Sequence, residues 1–244
     1  MNDEPLHVVV IGASGGIGAA LLAQLHTDVR VGAITALARA PERILAGRAR
    51  CGAIDLGDEA SIEAAAAFAA QAGALHRVFV ATGVLRDSGR AIEPEKSSRA
   101  LSAASLMHVY QINAVGPALT SKHFAPRLAR SGPSVFAALS ARVGSIEDNR
   151  LGGWHSYRAS KAALNMLIRN AAIELARTHP QAICVTLHPG TVDTALSAPF
   201  QANVPAQKLF SPAESAGHLL RVVDGLSVAD SGGFFAWDGQ RIPF

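Results

Sequence analysis

Six residues, Leu6-His7-Val8-Val9-Val10-Ile11, run straight into Gly12-Ala13-Ser14-Gly15-Gly16-Ile17-Gly18 and then into Ala19 to Leu25. The short β-branched run reads as a buried strand. The alanine- and leucine-rich stretch favours a helix, and the glycines between them permit a tight reversal. A helix N-terminus presents free N–H groups and a positive dipole end, which suits a pyrophosphate that the glycine backbone can approach closely. The spacing is Gly-x-x-x-Gly-x-Gly and not the Gly-x-Gly-x-x-Gly fingerprint. A purely structural glycine turn is the competing reading.

The alternation continues along the chain. Ala33 to Leu37 predicts a second strand, and a weaker helix is expected after Pro41, a residue suited to a first helical turn. Ala53-Ile54 reads as a short strand ending at Asp55, Ser61 to Ala72 as a helix, and Val78 to Val80 as a fourth strand. A long helical stretch is expected from about Ser102 to Arg130, interrupted at Gly116-Pro117. Ser134 to Leu139 predicts a fifth strand, Tyr157 to Arg177 a helix, Ala182 to Leu187 a sixth strand and Gly233 to Trp237 a seventh. The strands are continuous apolar runs, as strands buried on both faces are. The expected fold is therefore α/β, a Rossmann-type doubly wound domain over residues 1–244 with a mostly parallel sheet of about seven strands flanked by helices. A chain of 244 residues can bury a core of that size. The stretch 195–212 carries Pro199, Pro205 and Pro212 with little periodicity, and is expected to be a long loop covering the substrate.

A net charge of +3 without a basic run argues against nucleic acid as a partner. Cys51 and Cys184 have no metal-ligand spacing, so no metal site and a reduced, cytoplasmic setting are expected. Met1 to Pro5 do not resemble a signal peptide, and the apolar run from Leu6 meets glycine too soon to cross a membrane.

Tyr157 and Lys161 lie four residues apart, one turn along a single helix face. An ammonium beside a phenol favours the phenolate, lowering its pKa from about 10 and making a proton donor and acceptor for neutral pH. In Ala36-Leu37-Ala38-Arg39 no acid stands where one would hold a ribose 2′-hydroxyl. Arg39 could instead pair with a 2′-phosphate, which favours NADP over the alternative NAD.

With these residues in place the chain resembles the short-chain dehydrogenase/reductase family over nearly its whole length. The resemblance is carried by the Gly12/Gly16/Gly18 turn, Asp55, Asn113 in Ile112-Asn113-Ala114-Val115-Gly116, the Tyr157/Lys161 pair and Pro189-Gly190-Thr191-Val192-Asp193-Thr194. Leu139 to Ile146 and Gly232 to Gly239 are more narrowly similar to its C-factor-like branch, which is similar to carbonyl reductases. The resemblance implies hydride transfer between a nicotinamide and a small carbonyl or alcohol substrate. It implies that Tyr157 is the general acid, that Lys161 lowers its pKa and holds the nicotinamide ribose, and that Asn113 sits at a helix irregularity and holds a water. A serine would hydrogen-bond the substrate oxygen. The cofactor would contact Gly12, Ser14, Gly15, Gly16, Ile17 and Gly18 in the turn, then Arg39, Asp55, Leu56 and Gly83. Further along it would contact Tyr157, Lys161, Pro189, Gly190, Val192 and Thr194. Family members pair through the tyrosine helix, so a homodimer or homotetramer is expected, with Leu164, Leu167 and Ile168 on that helix's outer face.

Competing readings stay open at this point. Asn113 could be a packing amide, Asp55 a cap for the helix near Ser61, and Pro189-Gly190 a plain turn. His155 and His188, beside the motifs, read as packing or surface residues. Two departures from the pattern matter. The family's Asn-Ala-Gly is here Ala81-Thr82-Gly83, and the usual second hydroxyl after the fifth strand is Ala141. Ser140 stands 17 residues before Tyr157 and Ser145 stands 12 before it, with Glu147 to Trp154 resembling a short insertion. Ser140 is the favoured hydroxyl and Ser145 the alternative. An NAD(P)-dependent oxidoreductase is the favoured function; a C-factor-like nucleotide-binding signalling protein with vestigial catalysis is the rival. Phe200, Val204, Leu209 and Phe210 suggest an apolar substrate.

Overall fold

The computed structural model describes residues 4–201 and 205–244. Its first half contains β1 (Leu6–Ile11), α1 (Gly16–Thr27), β2 (Val31–Ala38), β3 (Arg50–Ala53), α2 (Glu59–Ala70), β4 (Arg77–Val80), α3 (Ala103–Tyr110) and α4 (Gly116–Phe124). The second half contains β5 (Ser134–Leu139), α5 (His155–Leu175), β6 (Ala182–His188), β7 (Thr191–Val192), β8 (Leu209–Phe210), α6 (Pro212–Gly225) and β9 (Phe234–Ala236). Seven strands form one sheet in the order β3-β2-β1-β4-β5-β6-β9, and every neighbouring pair is parallel. The expected parallel α/β sheet is thus present, parallel throughout. From β1 the chain steps outward to β2 and β3, then returns to β4 on the other side. That reversal opens a crevice outside the C-terminal strand ends, the usual place for a ligand in such sheets.

Strand alternation sorts the core into two layers. Val8 and Val10 face a cluster with Leu21 and Leu25 of α1 and Leu219 of α6. Val9 and Ile11 face the other side, with Ile62 of α2 and Leu164 and Ile168 of α5. Leu164 and Ile168 therefore belong to the core and not to the outer face of α5, where Met166, Leu167 and Ile173 are exposed. Among the described residues no helix is long and apolar enough to cross a membrane, and no cluster of three or more His, Cys, Asp or Glu could hold a metal ion.

Several local expectations shift. Helix α1 begins at Gly16, inside the glycine turn, rather than at Ala19. After Pro41 there is a single 3-10 turn, Pro41–Arg43, and no helix. The third strand is Arg50–Ala53, pairing with β2, so Ile54 and Asp55 follow it. Asp58, not Asp55, caps α2, accepting a hydrogen bond from the Ala60 N–H at 3.0 Å. The stretch around Gly116-Pro117 is continuous: a π-helical turn, Gln111–Val115, joins α3 to α4. Pro117, which has no N–H to donate, directly follows the π turn as the second residue of α4. The 195–212 segment is not one loop. It holds 3-10 turns at Ala198–Phe200 and Ala206–Lys208, and β8 pairs with β7; Val204 lies outside the described residues. Helix α6 was not expected, although Ser211-Pro212-Ala213-Glu214 forms a full capping box.

The glycine turn is held by contact between its own ends. Gly12 has φ +85°, and a Cβ on Gly18 would lie 2.1 Å from the Gly12 carbonyl oxygen. Only a bare backbone allows α1 to start so close to the end of β1. Gly18→Ala is expected to cost about 1–3 kcal/mol of stability through overpacking; urea unfolding checks this, and an unchanged midpoint would contradict it.

Candidate active site

A cavity of about 850 Å³ opens at the C-terminal ends of β1, β4, β5 and β6. Its size suits a small-molecule or cofactor site. At one end lie Gly15, Gly16 and Ile17, where α1 begins with no side-chain cap, leaving its first N–H groups free for an anion. Gly83, Pro189, Gly190, Val192 and Thr194 line the same cavity. A Cβ on Gly16 would lie 2.7 Å from Thr194 Cγ2, so the turn and the loop after β7 meet there. Gly12 and Gly18 shape the turn from within, and Ser14 is exposed outside the lining.

Tyr157 and Lys161 reach the cavity from the first turns of α5, both buried. Lys161 Nζ lies 5.9 Å from the phenol ring centre and donates to the Leu139 carbonyl at the end of β5, at 2.8 Å. The sequence predicts that the lysine lowers the tyrosine pKa. The structure reverses the sign: burial pushes the Tyr157 phenol up to about 12 and drags Lys161 down to about 7. Low dielectric disfavours both charged forms.

Ser140 follows β5, its N–H donating to the Leu187 carbonyl at 2.8 Å. Its hydroxyl is buried, lines the cavity and has no protein partner. Ser145 is buried outside the cavity lining, and its Oγ accepts from the Asp148 N–H at 3.0 Å. Of the two candidate hydroxyls, Ser140 is the one that lines the same cavity as Tyr157.

Asn113 is fully buried in the π turn. Its amide donates to the Val84 carbonyl at 2.8 Å and to Ser160 Oγ at 3.1 Å, while its Oδ1 accepts from the Val84 N–H at 2.8 Å. Ser160 Oγ in turn donates to the Tyr157 carbonyl at 2.8 Å. Both amide hydrogens are thus committed to protein, and the side chain bridges the end of β4 and the tyrosine turn. Gly83 adjoins this bridge: a Cβ there would lie 3.5 Å from Asn113 Oδ1 and 3.6 Å from Lys161 Nζ.

Besides Gly12, Ser14 and Gly18, three further expected cofactor residues lie outside the cavity lining. Arg39 is exposed at the end of β2 and has no ion-pair partner among the described residues. Asp55 stands at the end of the neighbouring β3, where its carboxylate accepts from the Gly57 N–H at 2.9 Å. Leu56 is buried, packed against Gly116.

Sequence reasoning missed Trp154, Glu95 and the lining role of His188. Trp154 has φ +47°, and its ring meets Tyr157 edge-on at 6.4 Å and Phe200 at 4.9 Å. Its N–H donates to the Glu95 carbonyl. The buried Glu95 carboxylate accepts from the Ser156 N–H at 3.1 Å and from Ser156 Oγ, so it caps the helix carrying Tyr157 from 61 residues upstream. A lone tryptophan abutting the tyrosine helix was a usable signal; nothing local marks Glu95. His188 lines the cavity with Nδ1 unpartnered, and burial, aided by the charge of Arg142, pushes its pKa down to about 4.

This is the arrangement of a nucleotide-dependent oxidoreductase built on a doubly wound sheet. Residues 6–205 match the family profile described as short chain dehydrogenase, and the chain belongs to that NAD(P)-using oxidoreductase family. It is 36% identical over 142 residues to the C-signal of Myxococcus xanthus, an alignment covering 58% of this chain and 80% of that protein. It is 31% identical to the 1-hydroxy-2-glutathionyl-2-methyl-3-butene dehydrogenase of Rhodococcus sp. strain AD45, over 95% of this chain and 96% of that one. Among solved structures, the NADPH-bound carbonyl reductase from chicken fatty liver superposes with a TM-score of 0.85 at 29% identity, covering 99% of this chain and 100% of that one.

The buried lysine makes stability depend on pH. Its folded pKa of about 7 lies below the ordinary 10.5. Between these values the unfolded chain binds a proton that the folded chain lacks, so stability rises with pH; below the folded value the buried ammonium carries its full cost. Lys161→Met removes that cost. Its stability relative to the natural protein is expected to be greatest near pH 6 and to decline toward pH 9, by up to about 3 kcal/mol. Thermal unfolding at both pH values checks this, and a pH-independent difference would contradict it.

Proposed function

We propose that the protein reduces a carbonyl compound, or oxidises the matching alcohol, with NADP as cofactor and NAD as the alternative. The observation that carries this reading is that one cavity joins the uncapped start of α1, the Tyr157/Lys161 pair and the unpartnered Ser140 hydroxyl. The nicotinamide, when bound, supplies the hydride to the carbonyl carbon. Ser140 donates a hydrogen bond to the substrate oxygen, and Tyr157 hands its proton to that oxygen as negative charge develops there. Burial holds Tyr157 in the protonated form that reduction requires. Lys161 sits beside the phenol and supplies positive charge as the phenolate forms. Asn113 acts by bracing the tyrosine turn.

The glycine turn at Gly12, Ser14, Gly15, Gly16, Ile17 and Gly18 would hold the pyrophosphate, with Gly83, Pro189, Gly190, Val192 and Thr194 along the nicotinamide half. Arg39, unpaired beside Asp55 at the outer strand ends, would take the 2′-phosphate, and its neighbour Leu56 would offer only backbone. The NADPH-bound state of the chicken carbonyl reductase supports the same choice. The whole of 1–244 would act as one catalytic domain, with 195–212 covering the substrate through Phe200. Two copies would pair through the exposed Met166, Leu167 and Ile173 of α5. The similarity to the C-signal favours the second reading, a nucleotide-binding signalling protein. Tight NADPH binding without turnover of any aldehyde, ketone or quinone in a panel would favour that reading over the enzyme.

Tyr157→Phe is expected to lower NADPH oxidation at least about 100-fold while leaving NADPH affinity intact. Retained turnover would remove the tyrosine from its role. Arg39→Asp is expected to shift the ratio of kcat/KM for NADPH over NADH at least about tenfold toward NADH; an unchanged ratio would reject the cofactor assignment.

A further inference from the structure

The cavity wall that leaves β5 comes from one segment. Arg142, Val143, Asp148, Arg150, Leu151 and Trp154 all line it, and they fall in the stretch that sets Ser140 and Tyr157 17 residues apart. This segment is therefore where the chain spends its extra residues, and it spends them on the substrate side.

Its charges do not balance. Three guanidiniums, those of Arg142, Arg150 and Arg158, line the cavity with one carboxylate, Asp148. Asp148 is taken by Arg142 at 2.9 Å. Arg158 is folded onto backbone, its Nε donating to the Gly152 and Gly153 carbonyls at 3.1 Å each. Arg150 uses only Nη1, on the Glu147 and Asn149 carbonyls. Among the described residues no carboxylate lies within 4 Å of it, and the residue is exposed while lining the cavity. A planar guanidinium with free donors is shaped for a carboxylate. The same cavity is lined by the edge-to-face pair of Trp154 and Phe200.

We infer that the substrate is a carbonyl compound carrying a carboxylate, with its hydrocarbon part against Trp154 and Phe200 and its carboxylate on Arg150. This rests on the carbonyl-reductase reading above. The test compares 4-carboxybenzaldehyde with its methyl ester, two aldehydes of one shape that differ in charge, in NADPH-coupled turnover. The acid is expected to show a kcat/KM at least about tenfold higher, mostly through KM, with the preference shrinking at high salt. Arg150→Gln is expected to bring the acid-to-ester ratio close to one, and Arg150→Lys to restore part of it. Equal turnover of both aldehydes, or a ratio that Arg150→Gln leaves unchanged, overturns the inference and leaves the carbonyl-reductase reading standing. A loss of NADPH affinity in Arg150→Gln that matches the loss in turnover assigns the guanidinium to the cofactor and also overturns it. Turnover of neither aldehyde, with NADPH bound, removes the reading and the inference together.

Discussion

In a sheet whose strands all run one way, each strand delivers its C-terminal end to the same edge, and each needs a crossover to return. The candidate site residues of this protein follow from that constraint. The glycine turn leaves β1, Gly83 leaves β4, Ser140 leaves β5, and His188 with Pro189 and Gly190 leave β6. No pair of these is close in sequence except the last. They meet because the hydrogen-bonded register fixes where each strand stops: Ile11 lies beside Val80, and Leu139 beside Leu187. Tyr157 and Lys161 come from a helix, but Lys161 is tied to the same edge through the Leu139 carbonyl. The buried valines and isoleucines of the strands thus do more than fill the core; they set the spacing at which the site residues converge.

What could be read from the sequence divides along the range of the interactions involved. The first strand, the glycine turn, β5 and α5 carry their own signals in apolar runs, glycine spacing and helical propensity. β3 was misplaced because Arg50-Cys51-Gly52 is a poor strand by composition and exists by pairing with β2. The π turn is legible as an irregularity near Gly116-Pro117 and, through the family resemblance, at Asn113. Its form depends on Gly116 lying against Leu56 and on Asn113 bonding to Val84, contacts that span the fold. The Glu95 cap was invisible for the same reason, since the acid and the helix it caps are 61 residues apart. Helix α6 is a different kind of miss: its capping box is written in four consecutive residues.

The Tyr157/Lys161 pair shows how far burial can override a charge argument drawn from spacing. A lysine one helical turn from a tyrosine should favour the phenolate, yet both groups are shut away from water, and each is driven toward its neutral form. The lysine retains one good partner, a backbone carbonyl. The pair is therefore close to a phenol beside a lysine near its titration point.

The π turn also shows how this chain can carry an extra residue without moving its core. A π turn is an α-helix with one residue too many. The wider turn absorbs that residue locally, so the helix on either side keeps nearly the phase it would have without it. What the extra residue changes is the backbone of Gln111–Val115 itself, where Asn113 meets Val84 while Gly116 stays against Leu56. Its removal would leave the packed faces of α3 and α4 in place, so the loss would fall on the Asn113 contacts and not on the core.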